Sequence, residues 1–270
     1  METIAGHPFS HESNLTTKVA SLEGPSQRVA IAAVKRYRVY RDIVEKAIRT
    51  GQMNLAVQEL NDYLDYAKGI EKKHKEFNWR SDYAGSIFPE FLMMAVFIEA
   101  EKKDINCVFS SKNSVVEINL SSSGDWQIRR KNQDFSVGKI SKTHVFESPD
   151  AIEFIIPKVV AEVKTNIDIN KLNGLDYSAS RLKTTFPECK YLLVTETIDF
   201  SLDDNYITTS VDEIYCLRKQ MRSRSRKSKD PISTEIVSIL IDDIVNFLDD
   251  IDDAAGHVYD RLESGKLIGG

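Results

Sequence analysis

Residues 152–198 read IEFIIPKVVAEVKTNIDINKLNGLDYSASRLKTTFPECKYLLVTETI, and this stretch decides the fold. Its first part, residues 152–164, is a β-branched apolar run that predicts a strand. LNGLDYSASRLKTTFP, residues 172–187, predicts a helix that ends at Pro187. KYLLVTETI, residues 190–198, is a continuous apolar strand, the pattern of a strand covered on both faces. Strand, helix and strand at this spacing form a crossover unit joining two parallel strands.

Further toward the N-terminus, residues 105–109, 114–120 and 126–137 are strand-like, with turn signals at Ser123 and Gly124. Before them, FLMMAVFIEAEKK follows Pro89, a residue tolerated in a first helical turn, and predicts a largely buried helix. Residues 26–49 carry Val29, Ala33, Tyr37, Tyr40, Val44, Ala47 and Ile48 at helical spacing, and Gly51 stops the run. A second helix presents Leu55, Leu60, Leu64, Ala67 and Ile70, so the pair predicts a helical hairpin. Residues 1–25 mix Pro, Ser, Thr, His and Gly without periodicity and are expected to be a loose arm. On the other side, VDEIYCLRK is β-like or helical, and an amphipathic helix is expected at about 233–250. The expected class is α/β: a mixed sheet flanked by helices over residues 81–270, preceded by an arm and helical subdomain over residues 1–80.

The net charge of −5 over 270 residues argues against a general nucleic-acid coat protein, but the charge is uneven. Residues 218–229 read RKQMRSRSRKSK, whereas residues 242–253 read DDIVNFLDDIDD. The first would suit phosphate contacts, with arginines able to read guanine edges, or would be a solvated loop. Cys107, Cys189 and Cys216 are far apart and form no CxxC pair, which argues against a zinc ribbon and suits a reducing cytoplasm. No apolar run approaches the roughly 20 residues of a membrane span. METIAGHPFS has no basic segment followed by an apolar one, so no secretory signal is expected.

Glu162 and Lys164 stand two apart on the decisive strand, so both side chains leave one face. A carboxylate beside an ammonium can serve phosphodiester hydrolysis: the carboxylate holds Mg²⁺ and the lysine orients or activates a water. E-x-K also occurs at Glu71/Lys73, Glu101/Lys103 and Glu188/Lys190, in polar helix ends or a turn where solvated charges are expected. Only Glu162/Lys164 follows an apolar strand and precedes a crossover helix; its bland alternative is an exposed ion pair worth little. A further acid must come from a neighbouring strand. Asp134, in QDFSVG, heads a run that could lie beside 157–164 and is preferred over Asp150, which Ser148 and Pro149 place in a turn. Glu90, in the first turn of an apolar helix, is either a helix-dipole partner or a second metal contact. Arg129, Arg130 and Lys131 precede Asp134 and would then lie near the scissile backbone. The histidines form no HExxH or HNH-like cluster, and no GxxxxGK[ST] loop exists.

Five stretches now carry a resemblance: IEKKHKEFNWRSDYAGSIFPEF, QIRRKNQDF, AEVKTNIDINKLNGLDYSASRLK, DEIYCLRKQ and GHVYDRLESGKLI. From about residue 50 to the C-terminus the chain resembles one subunit of the heterodimeric type II restriction endonucleases typified by BbvCI. The resemblance implies a PD-(D/E)XK core, Mg²⁺ as cofactor, double-stranded DNA as substrate, a bacterial cytoplasmic setting and a second, related nuclease subunit as partner. Each subunit would cut one strand of an asymmetric site of the CCTCAGC type, leaving a 5′-phosphate and a 3′-hydroxyl. It further implies Asp134, Glu162 and Glu90 as metal-binding acids and Lys164 as the catalytic lysine. The literal "PD" is not kept, since Gln133 precedes Asp134. The DNA contacts expected are Arg129, Arg130, Lys131, Arg218, Arg222, Arg224 and Arg226. Two rivals stand beside this reading: a structure-selective repair or junction nuclease, and a DNA-binding partner subunit without chemistry. Discrete fragments from a plasmid would separate the first, and metal-dependent nicking by this chain the second.

Overall fold

The computed structural model describes residues 10–78, 83–111, 114–120, 122–123, 126–144, 151–201 and 209–252. The GHVYDRLESGKLI stretch and Asp150 lie outside them.

The N-terminal third is helical: α1 (Ser10–Ser21), α2 (Gly24–Arg49) and α3 (Met53–Lys73), followed by one 3₁₀ turn. In α2, Ala30, Ala33, Tyr37, Tyr40, Val44, Ala47 and Ile48 are buried at spacings of three and four, with Pro25 in the first turn. Gly51, at φ +72°, lets the chain reverse within three residues. α3 returns with Ala56, Val57, Leu60, Tyr63, Leu64, Ala67 and Ile70 inward. α1 corrects the expectation of a loose arm. His11 and Leu15 are buried, and His11 bonds Tyr63 Oη (2.8 Å) and the Tyr83 carbonyl (2.9 Å). Those partners are 52 and 72 residues away, beyond the reach of any local pattern.

α4 (Ile87–Lys102) is buried nearly all round. The five-stranded sheet runs β1 (Val108–Ser110), β4 (Phe135–His144), β5 (Ala151–Asp168), β6 (Lys190–Asp199), β7 (Glu213–Cys216) in spatial order. β1, β4 and β5 are antiparallel; β5, β6 and β7 are parallel. α5 (Ile169–Thr185) makes the crossover from β5 to β6, its first turn capped by the Asp168 carboxylate accepting from the Lys171 amide at 3.0 Å. A separate hairpin, β2 (Ser114–Leu120) and β3 (Trp126–Lys131), packs over α5 and β5. The run expected as one strand at 126–137 is therefore two strands in two sheets, with Asp134 at the break. α6 (Arg222–Ser225) is one short turn, and α7 (Thr234–Asp252) closes the described chain.

Alternation along β5 sorts its side chains into two cores. Val159, Ala161 and Val163 join α1–α4 and α7, whereas Val160 joins α5. Glu162 and Lys164 share the parity of Val160, so they leave the sheet on the α5 side. Among the described residues, no helix is long and apolar enough to cross a membrane.

Candidate active site

Three of the expected residues converge. The Lys164 ammonium lies 2.8 Å from Asp134 Oδ2 and 2.7 Å from Glu162 Oε2. The two carboxylates are therefore at most two hydrogen-bond lengths apart. Asp134 reaches this position because Phe135 pairs with Ala161, which sets it opposite Glu162; its Oδ2 also accepts the Val163 amide at 2.8 Å. Burial pulls the Lys164 pKa down, but the charges of Asp134 and Glu162 outweigh it and hold the ammonium above its ordinary value. Lys131 approaches the other oxygen of Glu162 at 3.6 Å.

Beside this trio, a cleft of about 190 Å³ opens between the β2–β3 hairpin and α5, lined by Arg129, Arg130, Lys131, Gln133, Arg181 and Tyr191 among others. The expected basic triplet thus faces the cleft. Arg181 and the exposed Tyr177 were not legible as site residues. Arg181 spans to Glu117 of β2 at 2.6 Å and lies over the Tyr177 ring at 5.9 Å. Their i,i+4 spacing marks a shared helix face, but only the hairpin's placement makes that face a cleft wall. Gln133 Oε1 and Tyr191 Oη are buried in the cleft lining without a hydrogen-bond partner among the described residues.

The donor set fits a hard divalent cation. Such an ion takes oxygen ligands and is commonly held by one or two carboxylates, with water and phosphate oxygens completing its shell. Asp134 and Glu162 supply the carboxylates. Among the described residues no group of three or more acidic, His or Cys side chains converges.

Two of the expected residues stand apart from the trio. Glu90 is committed elsewhere: Oε2 accepts the amides of His11 (2.8 Å) and Glu12 (3.1 Å), and Oε1 accepts Tyr37 Oη (2.6 Å). It anchors the first turn of α1 from α4, in the core on the side of the sheet away from Glu162 and Lys164. Burial raises its pKa to about 7, against the lowering effect of its three donors. Arg218, expected at DNA, is buried against Glu196 (Nε–Oε2 2.8 Å) and donates to the Asp230 carbonyl. The other basic-run residues stay closer to solvent: Arg222 pairs with Asp199 at 3.0 Å, Arg224 approaches Asp230 at 3.6 Å, and Arg226 is exposed. Two of the competing E-x-K pairs are surface charges with partners of their own, Glu101 with Arg49 (2.8 Å), Lys103 with Asp249 (3.4 Å) and Glu188 with Lys158 (3.4 Å), and in the third Glu71 is half-buried and accepts the Ala84 amide at 3.3 Å.

The model of the Bpu10I restriction endonuclease family matches residues 86–264. Among solved structures, the chain is similar to a chain of one described as the native BbvCI A2B2 tetramer at low resolution. The two are 35% identical with a TM-score of 0.71, over 92% of this chain and 98% of that one. No curated protein matches.

Proposed function

The chain belongs to the Bpu10I restriction endonuclease family, and from this type II site-specific endonuclease we propose Mg²⁺-dependent hydrolysis of one phosphodiester in one strand of double-stranded DNA. The observation that carries the reading is the Lys164 ammonium bridging Asp134 and Glu162 on the cleft's edge. Asp134 and Glu162 would hold Mg²⁺, which when bound supplies Lewis acidity at a phosphate oxygen and lowers the pKa of a water. Glu162, nearly buried, is fixed by its strand; Asp134 is fixed by the Val163 amide, so neither carboxylate must be ordered on binding. Lys164, within hydrogen-bond reach of both carboxylates, would orient or activate the attacking water. Lys131, with Arg129 and Arg130 along the cleft, would hold the backbone of the strand being cut.

The site recognised would be short and asymmetric, of the CCTCAGC type, and a second, related subunit would cut the other strand. The BbvCI assembly, a tetramer of two kinds of chain, supports a partner of this kind. The test is digestion of a mapped DNA with Mg²⁺ or EDTA, with and without a candidate partner, followed by sequencing of the ends. Discrete ends in one strand, made only with the divalent ion, are expected. Cutting in EDTA, or ends scattered without sequence preference, would sink the proposal.

A further inference from the structure

We propose that Lys68 and Lys229 form a second anion site, built on Glu196 and Arg218, that takes a phosphate of the DNA backbone; this rests on the chain's action on DNA. Glu196 of β6 is nine-tenths buried, and three cations converge on it: Lys68 of α3 at 2.8 Å, Arg218 at 2.8 Å and Lys229 at 3.0 Å. Asp230 gives Arg218 only its carbonyl, while its carboxylate meets Gln220 and Arg224. Glu71, one turn beyond Lys68, accepts the Ala84 amide and acts on Lys68 through its charge alone. Glu196 is therefore the one carboxylate in contact with all three cations, an arrangement that leaves the cluster short of negative charge until a second anion arrives. Burial, more than any neighbour, lowers the Lys229 pKa to about 8; Glu196 pulls it up, and Lys68 and Arg218 push it down.

The two lysines keep a quarter to a third of their side chains exposed, while Arg218 is enclosed, so the surplus charge faces solvent through Lys68 and Lys229. Their place in the fold suits the same duplex. Lys164 pairs with Thr195, and Glu196 is the next residue along β6, facing the opposite side of the sheet. β4 leaves β5 after Ala161, while β5 and β6 run on paired to Asp168 and Asp199 and the Arg218 amide donates to the Glu196 carbonyl at 3.2 Å. A duplex laid along this end of the strands would meet the catalytic trio from one face of the sheet and the lysines from the other. A compact ammonium is a point-charge phosphate partner that needs no fork geometry.

The experiment measures binding of a random-sequence DNA duplex in EDTA across a salt series, using the full chain in the assembly in which it purifies. Lys68→Gln and Lys229→Gln should each weaken binding about tenfold at low salt and lower the slope of log K against log salt by about 1. Both leave Glu196 with two cations. Lys103→Gln, which removes an exposed contact to Asp249, should leave the slope unchanged. Lys229→Arg keeps the charge and should retain the wild-type slope. Wild-type slopes in both Gln variants would overturn the site, and so would a lost slope in Lys229→Arg. If the wild-type protein itself fails to bind the duplex at low salt, the proposed action on DNA falls and this site with it.

Discussion

Replacing Glu90 by Gln distinguishes a carboxylate that anchors a helix from one that binds metal. In an unfolded chain a glutamate titrates near 4.5, whereas folded Glu90 titrates at about 7 because it is buried. Between those values the folded protein holds a proton that the unfolded chain has released. Stability from this group is thus full below pH 4.5 and is lost as pH rises through 7. At 1.36 kcal/mol per pH unit the loss is about 3 kcal/mol. A glutamine keeps the arrangement without a titrating proton: its carbonyl can accept the His11 and Glu12 amides, and its NH₂ can donate to Tyr37 Oη. Urea unfolding followed by circular dichroism at pH 5 and pH 8 reads the difference. The wild type should lose about 2.5 kcal/mol more than Glu90→Gln between pH 5 and pH 8, since at pH 5 part of the full loss has already occurred. Parallel pH dependence in the two proteins would refute the reasoning. Mg²⁺-dependent cleavage should survive the change, and a hundredfold loss of cutting at unchanged stability would return Glu90 to the metal site.

Lys164→Glu should slow cutting of this subunit's strand by at least about 10³-fold while duplex binding persists. With an intact partner the product would then be a nicked circle on an agarose gel, and double-strand breaks at the normal rate would refute the role given to Lys164. Gly138→Ala should cost about 3 kcal/mol or block folding, because a Cβ there would sit 1.9 Å from the Ile156 carbonyl oxygen, a backbone atom at the β4–β5 bulge; chemical denaturation checks it. Glu196→Gln removes the one carboxylate among three cations and should destabilise by about 3 kcal/mol at pH 7. Burial raises the Glu196 pKa, but Lys68, Lys229 and Arg218 outweigh it and hold it at about 2, so its contribution is present above pH 4.5 and is lost as pH falls toward 2. The variant should therefore show a flatter acid limb in a pH series of unfolding midpoints.

Much of the fold follows from local pattern. The hairpin of α2 and α3, the buried α4, the β5–α5–β6 crossover and α7 were each legible from period, cap and breaker, since those signals act over a few residues. The misses share one cause. α1 has a weak pattern of its own and is ordered by His11, whose ring bonds Tyr63, Tyr83 and Ser86. The strand expected over 126–137 divides because β3 pairs with β2 and β4 with β5, a choice of partners rather than of propensity. Arg218 reads as one more cation in a basic run, yet it is buried against Glu196 while Arg224 stays exposed.

The sequence by itself placed Glu162 and Lys164 on one face of a strand, because alternation is a property of the backbone over two residues. It also supplied Asp134 as a candidate acid. Only the tertiary structure decided that Asp134 meets them, since pairing Phe135 with Ala161 depends on how two segments pack across the sheet. The same packing turned Glu90 inward to α1 and gathered Lys68, Arg218 and Lys229 on Glu196 from segments 22 to 128 residues apart. A carboxylate's environment is set by what is folded against it, and no local pattern carries that information.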